Sequence, residues 1–190
     1  MNIEYIKIQS SNIDISFMIK LEKLKELHFR HNKINEICDL SGLLNLRVLN
    51  LSNNNIKNIT NITNLENLNI LIISNNEIES LAPLSRLRNL EYIYADNNKL
   101  KNIIGIENLK KIKYLNLSNN EIQNIDDIIY FNKLEILKIK NTDIVNLPNI
   151  MELKNLDYNN LEIDWNKINK INNMKGFPLI KNIIVSLKNI

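Results

Sequence analysis

The residues that most often carry chemistry are scarce in this chain of 190 residues, and their spacing assembles no reaction centre. Two histidines, His28 and His31, stand three apart in the segment HFRH. Histidines form a metal site only together with further ligands, and no third ligand of a suitable type is obvious in the neighbouring segments. We therefore predict that both histidines are surface residues and that the chain binds no metal ion.

Other signatures of catalysis are also missing from the sequence. The three glycines are too far apart to form a phosphate-binding loop of the GxGxxG or GxxxxGK type. The single cysteine, Cys38, falls outside the predicted strands, which disfavours a Cys–His nucleophile. Asp126 and Asp127 are adjacent, so they face different ways and predict a turn cap rather than a carboxylate pair. The sequence thus predicts neither an enzyme nor a cofactor site.

The elements that would have to position any functional residue come from a pattern that recurs every 22 residues. Equally spaced apolar residues open its copies, at Leu24, Leu46, Leu68, Leu90, Ile112 and Leu134. In the copy at 46–67, the residues that follow the pattern are Leu46, Leu49, Leu51, Asn54, Ile56, Ile59, Ile62 and Leu65. This is the L-x-x-L-x-L-x-x-N-x-L signature of leucine-rich repeats, which stack into a solenoid where each unit contacts its neighbours.

Each unit has two halves with different periods. In residues 112–120 the side chains alternate, with Leu115 and Leu117 inward and Tyr114 and Asn116 outward, which predicts a short strand. The second half places an apolar residue at every third position, at Ile122, Ile125, Ile128 and Phe131. A period of three fits 3₁₀ turns. The predicted fold class is an α/β solenoid, a leucine-rich repeat horseshoe with a parallel β-sheet on its concave face and 3₁₀ or turn segments on its convex face.

We predict one domain spanning residues 1–190. The register changes once, because a unit opened at Leu156 would put asparagines at core positions, whereas a unit opened at Tyr158 keeps them apolar. Two extra residues are therefore expected as a bulge near residues 154–157. The predicted units are 3–23, 24–45, 46–67, 68–89, 90–111, 112–133, 134–157, 158–179 and a partial unit 180–190.

Asparagine makes up about a fifth of the residues. A buried amide at the ninth position of a unit can satisfy free backbone groups where the chain leaves the strand, so a structural ladder is predicted. Its members are Asn32, Asn54, Asn76, Asn98, Asn120 and Asn166, with Thr142 in place of asparagine in one unit. Much of the remaining asparagine is attributed to the codon usage of an AT-rich genome.

The outward positions of the strands are the ones that the repeat leaves free. Consecutive units place apolar or aromatic residues there, which favours contact with a partner, although tyrosine and isoleucine also form strands and could simply shield the sheet. Ala95 is small for a core position and could let Tyr92 or Tyr94 sink inward. A third outward column contains Ser52, Ser74 and Ser118. The predicted partner-binding residues are Val48, Ile70, Ile72, Tyr92, Tyr94, Asp96, Tyr114, Ile136, Lys138, Lys140, Glu162, Asp164 and Trp165.

The form LxxLxxLxLSxNxIxxIxxLxxL spans Leu109 to Phe131, with Ile112 and Ile128 at two of the leucine positions. In this the chain resembles the leucine-rich regulatory subunit of protein phosphatase 1 and the internalin-type bacterial surface proteins. The resemblance implies a non-enzymatic scaffold that binds a protein partner in its concave face. Two alternatives stay open, a subunit that targets a protein phosphatase and an internalin-like adhesion module.

Charge and hydropathy restrict the class of partner and the cellular compartment that we predict. The net charge is +3, and positive and negative residues are interspersed along the chain, which argues against a nucleic-acid surface. No run of apolar residues is long enough to span a membrane, and no signal peptide is visible. A single cysteine weakly favours a reducing compartment. We predict a cytoplasmic protein without membrane contact, either a monomer or a dimer paired through the edge of its C-terminal strand.

Overall fold

A computed structural model describes residues 3–8, 21–164, 167–168 and 170–171 of the chain. Eight parallel strands form one open sheet in the order β1-β2-β3-β4-β5-β6-β7-β9. The strands of this sheet are β1 (Tyr5–Lys7), β2 (Glu26–His28), β3 (Val48–Asn50), β4 (Ile70–Ile72), β5 (Tyr92–Tyr94), β6 (Tyr114–Asn116), β7 (Ile136–Ile139) and β9 (Glu162–Ile163). A second pair, β8 (Asn146–Leu147) and β10 (Lys170–Ile171), is also parallel.

The strands pair in a register set by the repeat. From β2 to β7 each residue faces the residue 22 positions later, as Val48 faces Ile70 and Ile70 faces Tyr92. The offset is 21 residues at the start, where Tyr5 faces Glu26. Equivalent outward side chains therefore form continuous columns across the sheet.

Among the described residues the return segments contain no α-helix, and several of them contain a short 3₁₀ turn. These turns are Thr60–Ile62, Ala82–Arg86, Asp126–Tyr130, Ile150–Glu152 and Tyr158–Asn160. The apolar residues at every third position point into one continuous core with the inward leucines and isoleucines of the strands. A narrow 3₁₀ turn suits this spacing because its side chains repeat every three residues. The predicted class, a leucine-rich repeat horseshoe with a parallel sheet and 3₁₀ turns, is confirmed.

The extra residues lie at a different place from the one predicted. The 22-residue register continues through Asp157, whose N–H donates to Glu135 O at 2.8 Å, just as Glu135 N–H donates to Lys113 O at 2.8 Å in the preceding unit. The offset becomes 24 residues only at the next strand, where Lys138 faces Glu162. The additional length therefore lies between Asp157 and Glu162, and the predicted bulge near residues 154–157 was wrong.

The inserted segment is the 3₁₀ turn Tyr158–Asn160, and it is held by polar contacts that apolar periodicity does not reveal. Asp157 caps the turn by accepting hydrogen bonds from Asn159 N–H at 3.0 Å and from the Asn160 amide at 2.6 Å. The Tyr158 hydroxyl donates to Ile150 O at 3.0 Å. An Asp at the cap position satisfies a free N–H group at the start of the turn, so Asp157 stabilises the inserted segment.

The ninth-position asparagines bridge successive turns. The Asn76 amide donates to Leu51 O and Ile73 O, both at 3.0 Å, while its Oδ1 accepts from Ile56 N–H at 3.0 Å. Corresponding bonds recur at Asn54, Asn98 and Asn120. Thr142 makes a single such bond, from its hydroxyl to Ile139 O. Asn166, also predicted for the ladder, lies outside the described residues.

Asparagine has three further structural roles, so codon usage is an incomplete explanation of its abundance. In the six units that begin at residues 24 to 134, the eighth residue has positive φ near 57°, and it is asparagine in all of them except at His31. Asparagine tolerates this left-handed conformation better than most residues because its short side chain can hydrogen-bond locally. The positive-φ asparagines are Asn53, Asn75, Asn97, Asn119 and Asn141.

A second role is to cap the convex turns. Asn58 Oδ1 accepts from Thr60 N–H at 2.8 Å, and Asn124 Oδ1 accepts from Asp126 N–H at 2.7 Å. This local side-chain bond competes with extended structure and favours a turn.

The third role is a second ladder in the turns that precede the strands, here called the pre-strand turns. Each has a bond from the N–H of the residue that opens the next unit to the carbonyl three residues earlier, as from Leu68 to Leu65 at 2.9 Å. An asparagine in the turn donates to a carbonyl 23 residues earlier in the preceding turn. These bonds run from Asn45 to Glu22 O, from Asn67 to Leu44 O, from Asn89 to Glu66 O and from Asn155 to Asn132 O, at 2.6 to 2.8 Å.

Candidate binding face

An unbroken row of apolar and aromatic side chains crosses the middle of the concave sheet. The register places Val48, Ile70, Tyr92, Tyr114 and Ile136 in one row. In the next row Ile72 lies beside Tyr94. Because these positions point away from the core, the seven predicted apolar contact residues meet on one continuous surface, which we call the aromatic band.

The side chains of the aromatic band are half-buried rather than fully exposed. Adjacent strands lie about 4.8 Å apart, so residues in one row shield each other. Tyr94 and Tyr114 are the closest pair, with ring centroids 4.5 Å apart and ring planes inclined by 31°. Burial raises the pKa of the Tyr114 hydroxyl above its ordinary value. The band is therefore preorganised, and a partner that covers it would order few additional rotamers.

The small core residue beneath the tyrosines does not draw them inward. Ala95 is fully buried, while Tyr92 and Tyr94 keep the regular strand register with the residues of β4 and β6. Regular pairing directs alternate side chains to opposite faces of the sheet, so both tyrosines stay on the concave side.

The predicted contact residue Asp96 is engaged within the chain. Its Oδ1 accepts from Ser74 Oγ at 2.7 Å and from the Asn116 amide at 3.0 Å, and its Oδ2 accepts from the Asn97 amide at 2.7 Å. A carboxylate with three donors is largely satisfied and holds its neighbours in place. Asp96 thus forms the polar border of the aromatic band.

The predicted charged residues nearer the C-terminus also have partners in the chain. The Lys138 ammonium lies 2.6 Å from Glu162 Oε1, and this hydrogen bond raises the pKa of Lys138. Asp164 Oδ2 accepts from Asn141 N–H at 2.6 Å. Lys140 is exposed and joins no ion pair among the described residues, and Trp165 lies outside them.

The serines of the third outward column are buried. Ser52, Ser74 and Ser118 are each less than a tenth exposed. Polar neighbours cover them, as the Asn50 side chain accepts from Ser52 Oγ at 2.8 Å. The serines therefore contribute hydrogen bonds within the sheet and little surface for a partner.

Tyr5 belongs to the same concave row and was missed in the sequence. Its side chain is 53 % exposed, and its ring centroid lies 5.3 Å from that of His28. His28 in turn lies 3.4 Å from Glu26 Oε2. The signal was present, because Tyr5 is the third residue of the unit 3–23, the position that Tyr92 and Tyr114 occupy in theirs.

The described part of the chain contains no group of three or more His, Cys, Asp or Glu side chains placed to hold an ion. Among the same residues, no helix has the length and apolar character needed to cross a bilayer.

Comparisons with known proteins agree with this architecture. A family model for leucine-rich repeats in two copies matches residues 44–86 and 88–130. Comparison with proteins of curated function gave no match.

Solved structures provide the closer comparison. An internalin, InlF, from Listeria monocytogenes is 27 % identical over 85 % of this chain, with a TM-score of 0.69. The chain spans about half of that protein, 51 %. Internalin C2 from the same species is 24 % identical over 89 % of this chain and 80 % of its own, with a TM-score of 0.78.

Two other structures resemble the chain. A leucine-rich repeat protein from Leptospira interrogans is 26 % identical over 95 % of this chain and 50 % of its own, with a TM-score of 0.63. The plant peptide hormone receptor RGFR1, solved in complex with RGF2, is 20 % identical over 83 % of this chain and 26 % of its own, with a TM-score of 0.66. With the repeat signature, the stacked parallel strands and the family match, these findings establish that the chain is a leucine-rich repeat protein.

Proposed function

We propose that this leucine-rich repeat protein is a non-enzymatic interaction module that binds a partner protein through its concave face. The leucine-rich repeat architecture and its structural relatives support a protein-interaction module in general. One of these relatives, the plant receptor, was solved with a second component, RGF2. The concave face and the residues named on it are our own assignment.

The aromatic band is the observation that carries the proposal. Tyr92, Tyr94 and Tyr114 stand together at its centre, with Ile70 and Ile72 beside them. Tyrosine is enriched among the residues that dominate binding energy, because it offers a large apolar area with few rotatable bonds and a hydroxyl that can hydrogen-bond. Because the tyrosine side chains are half-buried and pack closely, less conformational entropy is lost on binding.

A matched pair of variants tests the assignment. Wild-type protein, Tyr92→Ala/Tyr114→Ala and the control Ile104→Ala/Val145→Ala are used as baits in affinity purification. Ile104 and Val145 are exposed apolar residues of the return segments, at 62 % and 41 %. We expect the tyrosine variant to lose the specific partner and the control to retain it. Equal capture of the same partner by all three baits would refute this site.

Loss of folding must be separated from loss of binding. Because the tyrosines are half-buried, their truncation should destabilise the fold by about 1–2 kcal/mol, more than for a fully exposed residue. The variant Tyr92→Thr/Tyr114→Thr introduces β-branched residues, which favour strands as tyrosine does, and serves as a second test. Circular dichroism at the temperature of the binding experiment verifies that each variant is folded.

The two alternative functions considered from the sequence remain predictions, and the same affinity purification bears on the first of them. A phosphatase catalytic subunit in the purified complex would support a targeting subunit. The internalin-like adhesion module receives support from the similarity to InlF and internalin C2, which is one of fold. The cytoplasmic location also remains a prediction, and fractionation of cells that express the full-length gene product tests it.

A further inference from the structure

A cluster of positive charge lies at the edge of the sheet where the strands begin, and the aromatic band does not include it. Three consecutive pre-strand turns, together with the residues directly before them, span 86–89, 108–111 and 130–133. They contain five cationic side chains and no carboxylate. These residues, here called the basic edge, are Arg86, Arg88, Lys110, Lys111 and Lys133, and all five are exposed.

Among the described residues the cations of the basic edge form no ion pair, although Glu91 interacts electrostatically with Lys111 and Glu66 lines a groove with Arg86 and Arg88. The ion pairs of the described residues use other cations, among them Lys99 with Glu77 and Lys113 with Glu91. No described carboxylate lies within 4.0 Å of a cationic group of the basic edge. The Lys110 ammonium instead lies 4.8 Å from the centre of the Tyr130 ring and donates to Glu107 O.

Two of the five cations replace residues that the repeat uses for its own stability. Four pre-strand turns have an asparagine whose amide donates to a carbonyl of the preceding turn. Lys111 and Lys133 occupy this position in the two turns between Asn89 and Asn155. Lys111 bonds the Asn89 side chain instead, at 2.7 Å. The asparagine-to-carbonyl bond between successive turns is therefore missing at the two positions where lysine is found. Such departures from the repeat's own pattern are expected at functional positions.

The extent of the basic edge is limited on both sides. Glu66 lies in the preceding pre-strand turn, and Glu152 comes just before the following one. A groove of about 560 Å³ is lined by Arg86, Arg88, Glu66 and Asn89. Parallel strands stack about 4.8 Å apart, so three turns span roughly 10 Å, the length of about three to four residues of extended polypeptide.

We propose that the basic edge binds a short acidic segment of a polypeptide. The edge borders the aromatic band, since Lys113 directly precedes Tyr114 and follows the turn that contains Lys111. A partner in the concave face would therefore reach the edge with an adjoining segment, and this choice of a polypeptide over other polyanions rests on the proposed function. Exposed complementary charge acts on the association rate and is screened by salt.

The experiment uses a fluorescein-labelled octaglutamate peptide as the probe and follows its anisotropy at several salt concentrations. The test variant is Lys111→Asn/Lys133→Asn, which restores the repeat's own residue and should therefore fold at least as well as the parent. The matched control is Lys33→Asn/Lys101→Asn, which removes the same charge beyond the carboxyl ends of the strands. We expect the test variant to bind roughly fivefold more weakly or worse, and the control to change by less than about twofold.

Three results would overturn the proposal: no binding of octaglutamate to the wild type at about 50 mM salt, equal weakening in the test and control variants, or tighter binding of phosphatidylserine vesicles or single-stranded DNA than of the peptide. The variant Tyr92→Ala/Tyr114→Ala should bind octaglutamate like the wild type. The affinity purification therefore tests the concave face, and the anisotropy titration tests the basic edge, so that either assignment can fail without the other.

Discussion

Removal of one amide from the ninth-position ladder gives the sharpest test of how the repeats are held together. The Asn98 side chain is 9 % exposed and donates to Ile73 O at 3.0 Å and Ala95 O at 3.1 Å. Its Oδ1 accepts from Ile78 N–H at 2.9 Å. Its amide also makes a longer bond to Asp96 O at 3.3 Å. In Asn98→Ala all four bonds disappear, and alanine offers no replacement.

The size of the effect follows from what each former partner retains. Ile73 O still accepts from Asn76, and Ala95 O still accepts from Asn120. Only the Ile78 N–H loses the partner that the ladder provides, and an unsatisfied buried donor costs about 1–3 kcal/mol. With the three weakened carbonyls, the free energy of unfolding should fall by about 2–5 kcal/mol.

Urea unfolding followed by circular dichroism measures this loss, and hydrogen exchange at Ile78 shows whether it is local. Because each unit contacts mainly its neighbours, faster exchange should concentrate in the units that flank residue 98. The control Asn108→Ala replaces an exposed asparagine and should change stability by less than about 0.5 kcal/mol. A loss in Asn98→Ala as small as in the control, with an unchanged m value, would contradict the structural role of the ladder.

Three further predictions concern backbone conformation and charge. Gly105→Ala should lower the free energy of unfolding by about 2–4 kcal/mol, because Gly105 has φ +97° and a Cβ there would lie 2.5 Å from Ala82 Cα. An unchanged midpoint of urea unfolding would contradict this close approach. Asn75 has φ +57°, so Asn75→Ala should lower the free energy of unfolding by about 1 kcal/mol, whereas Asn75→Gly should leave it nearly unchanged. Equal losses in the two variants would argue against backbone strain at this position. The hydrogen bond from Lys99 lowers the pKa of Glu77 below its ordinary value of 4.5, so this pair stabilises the fold above that value and the contribution is lost as pH falls through the lowered pKa. Glu77→Gln should therefore lose less stability than the parent between about pH 5 and about pH 3, and parallel acid profiles would refute the coupling.

Much of the fold could be predicted because successive units touch residues a constant distance apart in the sequence. Each strand pairs with the strand one unit later, so the spacing of Leu49 and Leu71 already contains the register of the sheet. The same reasoning found the apolar members of the aromatic band. It failed between Asp157 and Glu162, where polar capping decides the position of the extra turn and the apolar pattern has no signal.

The sequence by itself determined the 22-residue solenoid, its inward core and the rows of outward side chains, because these depend only on residue type at a fixed interval. The tertiary structure decided how the outward side chains are used. Neighbours across the sheet half-bury Tyr114, supply Asp96 with two donors, from Ser74 and Asn116, and cover Ser74, whereas Lys111 and Lys133 remain exposed and join no ion pair among the described residues. Those outcomes depend on pairs of side chains from different units, and the geometry that joins them exists only after the units have stacked.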